Sequence, residues 1–424
     1  ITTMQTFQTF LQLFGGLTIF VYGVHVLSEG LEKVAGTQLL SIMNRSLDNR
    51  LKQGLFGMIA TALMQSSGLL MVTIIGLINA NLLNLEQAIG IMLGQEIGTT
   101  ITGQLVSFRI GSFNLIFLII GFFMMSFSSK PKLRLIGQPL FGFGVVFLGM
   151  SLMSEAGKAV SQMVFFQQAV QYLSQQILLG VLVGAVFTAA IQSSTAMTGL
   201  VIAMGHSNSI TLPVAIAIIL GANIGSCIMG WVAALQSSTS AKRASYSQIA
   251  INIAGVLIFL PFIKPFTDLI TTTSTELPRK IANAHTIFNL TVSVLMLPFV
   301  KPLANVIEKM IPDKEEEKEK KKTRFIDPRL LSMPVMAVQM AKEEVLRMGW
   351  IAHEMVKRSV DAMLHDEHDE IKWVFKHEKN VDEINSNMDA FLASIPVEKL
   401  GPEEISQVEK DRKSTRLNSS HGKL

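Results

Sequence analysis

The chain has 424 residues, of which 49% are hydrophobic and 16% are charged, and its formal net charge is +4. Soluble proteins carry about 25% charged residues, so this composition argues against a soluble enzyme. The charges are also unevenly distributed, because residues 1–309 hold 25 charged side chains and residues 310–424 hold 43. We therefore predict a membrane domain at 1–310, a charged linker at 311–324 and a soluble helical domain at 325–410.

The excess of positive charge belongs to the membrane part, where Lys and Arg residues of short loops are expected on the cytoplasmic side. With the charged C-terminal domain in the cytoplasm, the loops on that side carry nine Lys and Arg residues and the opposite loops carry five. The sequence therefore predicts a multi-pass protein of the cell membrane with a cytoplasmic C-terminal domain and no nucleic-acid partner. The single cysteine, Cys227, excludes a disulfide framework within the chain.

A helix that spans a bilayer needs roughly 20 mostly apolar residues. Stretches of this kind, which we predict to be spans, lie at 7–27, 85–106, 112–129, 135–155, 211–235, 242–264 and 281–303. Two more apolar stretches, 54–78 and 180–205, are interrupted midway by polar residues. Because lipid cannot satisfy the freed backbone groups, we predict two re-entrant helical hairpins, the first entering from the cytoplasm and the second from outside. The connecting segments, including 155–176 and 264–280, are predicted as loops.

An internal repeat relates the two halves of the membrane part. Residues 57–103 match residues 184–230 without a gap, and 18 of the 47 positions are identical, including glycine and polar positions. We predict repeats at about 7–129 and 135–264 with an extra span at 281–303. Three crossings per repeat invert the second copy, which is the common plan of secondary transporters. The predicted fold is an all-α membrane protein of two inverted repeats, each with a re-entrant helical hairpin, followed by a soluble helical bundle.

The same polar motif interrupts both hairpins and defines the first candidate site. Hydroxyl and freed carbonyl oxygens suit sodium, while the N–H groups and positive dipole end of the half-helix after a break suit a phosphate oxyanion. The alternative is that these side chains only bond neighbouring helices, but two copies in register favour binding. The predicted substrate and ion ligands are Gln65, Ser66, Ser67, Gln192, Ser193, Ser194 and Thr195. Sodium is predicted near Ser66, Ser67, Ser193 and Ser194.

A second repeated element contains two glycines four residues apart, Gly94 and Gly98 in the first copy and Gly221 and Gly225 in the second. Such spacing allows either close helix packing or local unwinding at a site. Glu96 is the only carboxylate well inside a predicted span, and it is open to three roles: sodium ligand, proton acceptor or partner of a neighbouring side chain. The candidate site residues from this element are Glu96, Thr99, Thr100, Asn223 and Ser226.

Two polar helix starts, at 248–255 and 282–289, are typical of helix ends at a membrane interface, and we interpret His285 as a packing residue. The sequence contains no nucleophile–base set, Walker motif or zinc-ligand spacing. We therefore expect neither enzymatic activity nor ATP-driven transport. No cofactor is expected beyond sodium as a coupling ion.

The motifs over about residues 7–303 resemble those of the type II sodium–phosphate cotransporter family, in its bacterial branch. The resemblance rests on the paired Gln-Ser-Ser motifs, on Gly-x-x-Ile-Gly-Thr/Ser after each, and on Ala-His-Thr-x-Phe-Asn before the last span. It implies that both Gln-Ser-Ser regions form the sodium and phosphate sites. The first copy differs from the family pattern by Gly68 in place of a third hydroxyl residue and by Gln95-Glu96 in place of Ala-Asn.

The C-terminal region shows apolar residues at helical spacing over 336–363 and again over 367–394. It resembles an incomplete PhoU-like regulatory domain, in which the pair Glu378 and Asp382 would bind a metal ion. A solvated charged face is the alternative for this pair. Residues 411–424 resemble a translated adapter sequence, and we expect them to be non-native.

These observations predict a secondary transporter that couples sodium movement to the transport of inorganic phosphate across the cytoplasmic membrane. Two alternatives keep the same sites: a phosphate exporter, or a membrane phosphate sensor that acts through the PhoU-like tail. The expected partners are phosphate, sodium and the lipid bilayer. The sequence is also compatible with homo-oligomers that form through the tail or the membrane domain.

Overall fold

The computed structural model describes residues 3–46, 48–80, 82–108, 113–235, 237–312, 323, 325–365, 368–397, 400, 401, 404–411 and 413. All regular elements of these residues are helices. Apart from residues 411 and 413, the segment predicted to be non-native lies outside the described residues, as does most of the predicted charged linker.

The first nine helices are α1 Thr3–Ser46, α2 Arg50–Met64, α3 Ser67–Asn79, α4 Leu85–Gly98, α5 Thr100–Val106, α6 Phe113–Phe127, α7 Pro131–Val160, α8 Val164–Gln175 and α9 Ile177–Ile191. The next seven are α10 Ser194–His206, α11 Leu212–Ser226, α12 Ile228–Leu235, α13 Thr239–Phe259, α14 Ile263–Thr272, α15 Leu277–Met296 and α16 Val300–Met310. Two long helices follow near the C-terminus, α17 Pro334–His365 and α18 His368–Ser394.

Within the described residues, five helical segments are long and apolar enough to cross a membrane: Met4–Val34, Pro131–Val160, Leu212–Leu235, Thr239–Thr272 and Leu277–Met310. The consecutive helices α8 and α9 together form a sixth apolar segment, which is bent by 116° at their junction. The prediction of an all-α membrane protein is confirmed. The inversion of the repeats and the sides from which the hairpins enter remain predictions.

The interrupted stretches are pairs of short helices. α2 and α3 have 15 and 13 residues, and so do α9 and α10. At 1.5 Å per residue each is roughly 20 Å long, which is shorter than a hydrocarbon core of about 30 Å. Neither helix of a pair is therefore long enough to cross the bilayer by itself.

The chain divides into two compact units. The first comprises Ile1–Met71, Leu85–Ser237 and Lys242–Ile311, and the second comprises Val72–Asn84, Ser238–Ala241 and Pro312–Leu424. In the first unit, a core of buried apolar side chains comes from α1, α7, α10 and α11, including Phe20, Met153, Val201, Ile202 and Val214. In the second, α17 and α18 pack through Met348, Ile351 and Ile384. The domain boundaries derived from the sequence remain predictions.

The repeated glycines are sites of backbone contact between helices. A Cβ added to Gly94 would lie 1.7 Å from the carbonyl oxygen of Gly54, and one added to Gly221 would lie 1.9 Å from that of Val181. Any side chain at these positions would collide with the backbone of α2 or α9. A Cβ added to Gly98 or Gly225 would also meet the backbone of α2 or α9, and one added to Gly57 or Gly184 would meet the backbone of α4 or α11. The packing interpretation of these glycines therefore has direct geometric support in both copies.

Helices also occupy the two segments predicted as loops. α8 lies within 155–176, and α14 covers most of 264–280. Both are short and amphipathic, so a search for apolar runs of 20 residues does not detect them. No residue of α8 is buried, and its Phe165 and Tyr172 are exposed.

Candidate substrate and ion site

Both Gln-Ser-Ser motifs break their helix in the same way. Gln65 ends α2 with φ 52°, and Gln192 ends α9 with φ 59°. This left-handed conformation is disfavoured for residues with a Cβ, and in the described part of the chain only one other non-glycine residue adopts it. The backbone N–H of each glutamine donates to the carbonyl four residues earlier, at 2.8 Å to Thr61 and 2.7 Å to Thr188. The two breaks are therefore structural equivalents.

The first serine of each motif caps the helix that follows. The hydroxyl oxygen of Ser66 accepts a hydrogen bond from the N–H of Leu69 at 3.2 Å. In the second copy, the hydroxyl oxygen of Ser193 accepts from the N–H of Ala196 at 3.1 Å. These are N-cap interactions, which stabilise the first turns of α3 and α10. Both hydroxyls thus already have a structural role.

The second serine of each motif is placed differently. Ser67 and Ser194 are the first residues of α3 and α10, and they are 8% and 9% exposed. Within the described residues, neither hydroxyl makes a hydrogen bond. Each therefore offers a free hydroxyl beside the N–H groups of a helix start, which is a favourable position for an anion.

The two copies of the motif meet. The hydroxyl of Thr195, just after the second motif, donates to the backbone carbonyl of Gln65 at 3.5 Å. The surroundings of the copies are not identical, because Gln65 is buried whereas Gln192 is exposed. Gly68 faces α12, where an added Cβ would lie 2.7 Å from the sulfur of Met229. A third hydroxyl residue at this position would therefore require the Met229 side chain to shift.

Glu96 lies in the interior of the membrane part and is 4% exposed. Its Oε1 atom accepts hydrogen bonds from the side-chain amides of Asn252 at 3.0 Å and Gln248 at 3.3 Å. No salt bridge to Glu96 occurs among the described residues. Because both donors are neutral amides, the described residues supply this carboxyl group with hydrogen bonds but with no positive charge.

The small polar residues around Glu96 bond mainly to their own helices. The hydroxyls of Thr99 and Ser226, which are equivalent in the repeat, each donate over 2.7 Å to the carbonyl three residues earlier. Thr100 does the same at 2.8 Å, and the Asn223 amide donates to the carbonyl of Ile219 at 3.0 Å. These bonds accompany the interruptions between α4 and α5 and between α11 and α12. The oxygen lone pairs of these residues are left for a cation, and the second N–H of the Asn223 amide is also left as a donor.

Several polar residues beside the predicted site were missed from the sequence. Thr61 and Thr188 are 1% and 0% exposed, and their hydroxyls have no partner among the described residues. Both lie one helical turn before the left-handed glutamine, and both are identical positions of the repeat. Their equivalence in the repeat was the signal that could have identified them. The side-chain oxygen of Gln65 is likewise buried without a partner.

The partners of Glu96 belong to a second, shorter repeat. Gln248 and Asn252 on α13 correspond to His285 and Asn289 on α15 when the chain is shifted by 37 residues, and a Leu-Pro-Phe turn follows each helix. Gln248 lies against Gly230, and His285 lies against Gly103. These two glycines are equivalent positions of the long repeat. The prediction that both helix starts are interfacial ends was therefore incomplete, because α13 supplies both hydrogen-bond donors to the buried carboxyl group of Glu96.

The pair Glu378 and Asp382 lies on α18, one turn apart and exposed. Among the described residues, no three His, Cys, Asp or Glu side chains are grouped so that they could hold a metal ion. A metal site at this pair remains a prediction, as does the PhoU-like nature of the tail.

Known proteins match this chain at the level of family and of individual relatives. The model of the family described as Na+/Pi-cotransporter matches residues 19–155 and 158–277. Salmonella typhimurium YjbB, whose name proposes inorganic phosphate export, is 26% identical over 396 residues, covering 93% of this chain and 73% of that protein. The uncharacterized protein YqeW of Bacillus subtilis is 27% identical over 298 residues, covering 70% of this chain and 97% of that protein.

A shorter match involves sodium-dependent phosphate transport protein 2B of Homo sapiens. It is 36% identical over 90 residues, which are 20% of this chain and 13% of that protein. No solved structure matches the chain significantly.

Proposed function

The chain belongs to the Na+/Pi-cotransporter family, and we propose on that basis that it is a secondary transporter that moves inorganic phosphate across the cell membrane together with sodium. The observation that carries this proposal is the meeting of the two Gln-Ser-Ser motifs, with Thr195 bonded to the carbonyl of Gln65. One shared site at the two helix breaks is the arrangement that a transporter of this plan requires.

Phosphate would bind at the starts of α3 and α10. Each start offers backbone N–H groups that lack intrahelical partners, and the hydroxyls of Ser67 and Ser194 are available as further donors. The cap hydroxyls of Ser66 and Ser193 already accept backbone hydrogen bonds, so their part would be to hold the two helix starts in place.

Sodium would be held by oxygen atoms beside this anion site. The hydroxyls of Thr61 and Thr188 and the amide oxygen of Gln65 are buried without a partner among the described residues. A bound cation would satisfy them and offset the charge of phosphate and of Glu96. Binding of either ion then raises the affinity for the other, since coupling between two sites is reciprocal.

Export is the second candidate, favoured by the match to YjbB over 93% of the chain. The same site would serve export, because the direction of net flux follows the ion gradients and the access of the site to each side. We further propose that the C-terminal region lies in the cytoplasm, in accordance with the distribution of Lys and Arg residues in the loops.

Radiolabelled phosphate flux in proteoliposomes tests the proposal. Purified protein should accelerate phosphate uptake when an inward sodium gradient is present, and replacing sodium with potassium should abolish the effect. An outward gradient should drive efflux from preloaded vesicles. Flux that is equal in sodium and potassium would contradict sodium coupling, and the absence of any protein-dependent flux would contradict phosphate transport.

A further inference from the structure

The last residue of α3, Asn79, is held by side chains from two distant parts of the sequence. Its amide nitrogen donates to the Oδ2 atom of Asp327 at 3.0 Å. Its amide oxygen accepts a hydrogen bond from the hydroxyl of Ser238, just before α13. Asn79 and Asp327 are 7% and 6% exposed, so the contact is buried. All three residues belong to the second compact unit.

Asp327 is itself fixed by its own turn. Its Oδ1 atom accepts from the N–H of Arg329 at 2.9 Å, which caps the short helix Pro328–Ser332. The guanidinium of Arg329 lies 3.1 Å from the Oδ2 atom. The carboxylate of Asp327 therefore forms charge-assisted hydrogen bonds with Arg329 in the C-terminal region and one hydrogen bond with Asn79 of α3.

An apolar contact accompanies this polar one. Leu330 is fully buried, and a Cβ added to Gly76 would lie 2.8 Å from its Cδ2 atom. Gly76 lies one turn before Asn79 on α3. The side chain of Leu330 thus occupies the space that the missing side chain of Gly76 leaves, and the end of α3 has both a polar and an apolar anchor.

The other end of this helix carries the first half of the candidate site. α3 begins at Ser67, is capped by Ser66, and runs 13 residues, roughly 20 Å, to Asn79 without a break. Rigid secondary elements of this kind can carry coupling between distant sites. Holding Asn79 therefore restricts where the hydroxyl of Ser67 lies.

We propose that Asp327 is a positioning residue for transport: through Asn79 it anchors the helix that presents Ser66 and Ser67 to the substrate. This inference rests on the proposed function for its effect on phosphate, whereas its effect on the position of α3 does not depend on that function. The C-terminal region then contributes to the transport cycle without touching the substrate.

A swap of the two partners tests the anchor. Asn79→Asp places two carboxylates face to face, and Asp327→Asn removes the charge and the ion pair with Arg329. Each change should lower the apparent affinity for phosphate by about fivefold or more, since a buried charge-assisted hydrogen bond is lost. The double variant restores an amide–carboxylate pair in reversed order, retains an acceptor for the N–H of Arg329, and should recover most of the affinity.

A second readout reports the far end of α3 without requiring transport. In a Cys227→Ala background, Ser66→Cys provides a single thiol whose rate of modification by a water-soluble reagent is measured. Asn79→Asp should change this rate at least about twofold, and adding Asp327→Asn should return it. A folding defect is recognised by loss of the monodisperse protein and would also fail to be rescued by the swap.

The outcomes separate the two proposals. Single variants that match the wild type in both flux and labelling, or a double variant as impaired as the singles, would overturn the anchor. If the wild type moves no phosphate at all, the proposed function fails, while the labelling rates still decide whether Asp327 positions α3.

Discussion

At the scale of single residues, the two serines of each motif have different surroundings despite their identical sequence. Ser66 and Ser193 accept hydrogen bonds from backbone N–H groups, whereas Ser67 and Ser194 are buried with hydroxyls that bond to nothing in the described part of the chain. Loss of activity after substitution therefore has two different physical causes within one motif.

Ser67→Ala and Ser194→Ala should each lower phosphate flux by about tenfold or more, because each would remove the proposed hydrogen bond to phosphate. Their thermal stability should stay close to that of the wild type. Ser66→Ala is the matched control. Because it removes an N-cap, it should lower the free energy of unfolding by about 1 kcal/mol. Flux in proteoliposomes and thermal unfolding separate the two cases. Wild-type flux in Ser67→Ala would show that this hydroxyl does not bind phosphate.

Gln65→Gly should stabilise the break and abolish transport. Glycine adopts the positive φ of this position without the cost of about 1 kcal/mol that a Cβ brings, but it lacks the amide. Asn208→Gly is the control, because Asn208 has the same φ of 52° and lies outside the candidate site. It should gain stability and keep its flux. A Gln65→Gly variant with normal flux would show that the amide has no part in binding.

Glu96→Gln should retain the fold, because the new amide oxygen can still accept from Asn252 and Gln248. Removing the negative charge should raise the sodium concentration for half-maximal flux by about tenfold. A sodium titration of phosphate flux measures this change. An unchanged sodium curve together with an altered pH dependence would identify Glu96 as a proton acceptor instead of a sodium ligand.

At the scale of helices, the pairs α2/α4 and α9/α11 depend on backbone contact at glycine. Gly94→Ala should prevent accumulation of folded protein, because its Cβ would lie 1.7 Å from a backbone oxygen that cannot move aside. Gly15→Ala in α1 is the control, since nothing lies within 4 Å of its added Cβ. Yield of monodisperse protein in detergent is the measurement. Equal yields of the two variants would contradict the close packing.

Sequence patterns predicted where the helices of this fold lie better than they predicted what surrounds the polar residues of those helices. The Gln-Ser-Ser interruptions predicted breaks where Gln65 and Gln192 lie, because lipid cannot satisfy the polar groups of such a run inside an apolar stretch. The short amphipathic helix α8 escaped detection because it lacks a long apolar run. The donors to Glu96 also escaped, since periodicity does not tell which helix faces a buried carboxyl.

At the scale of the whole molecule, composition predicted a membrane part and a charged C-terminal part, but not that the end of α3 groups with the latter. The contact of Asn79 with Asp327 joins residues 248 positions apart, and no repeat or motif marks it. Long-range pairs of this kind depend on tertiary packing, which one sequence does not reveal. The membrane orientation of the two repeats is likewise a prediction that rests on loop charges and on an odd number of crossings.

If both motif copies contribute to one phosphate site, each chain binds one phosphate, and the stoichiometry of binding measures this. Equilibrium binding of radiolabelled phosphate to the purified protein in sodium should saturate at one phosphate per chain. Ser67→Ala and Ser194→Ala should each weaken the whole of that binding. Saturation at two phosphates per chain, with half of the binding unaffected in either variant, would show that the two copies form separate sites.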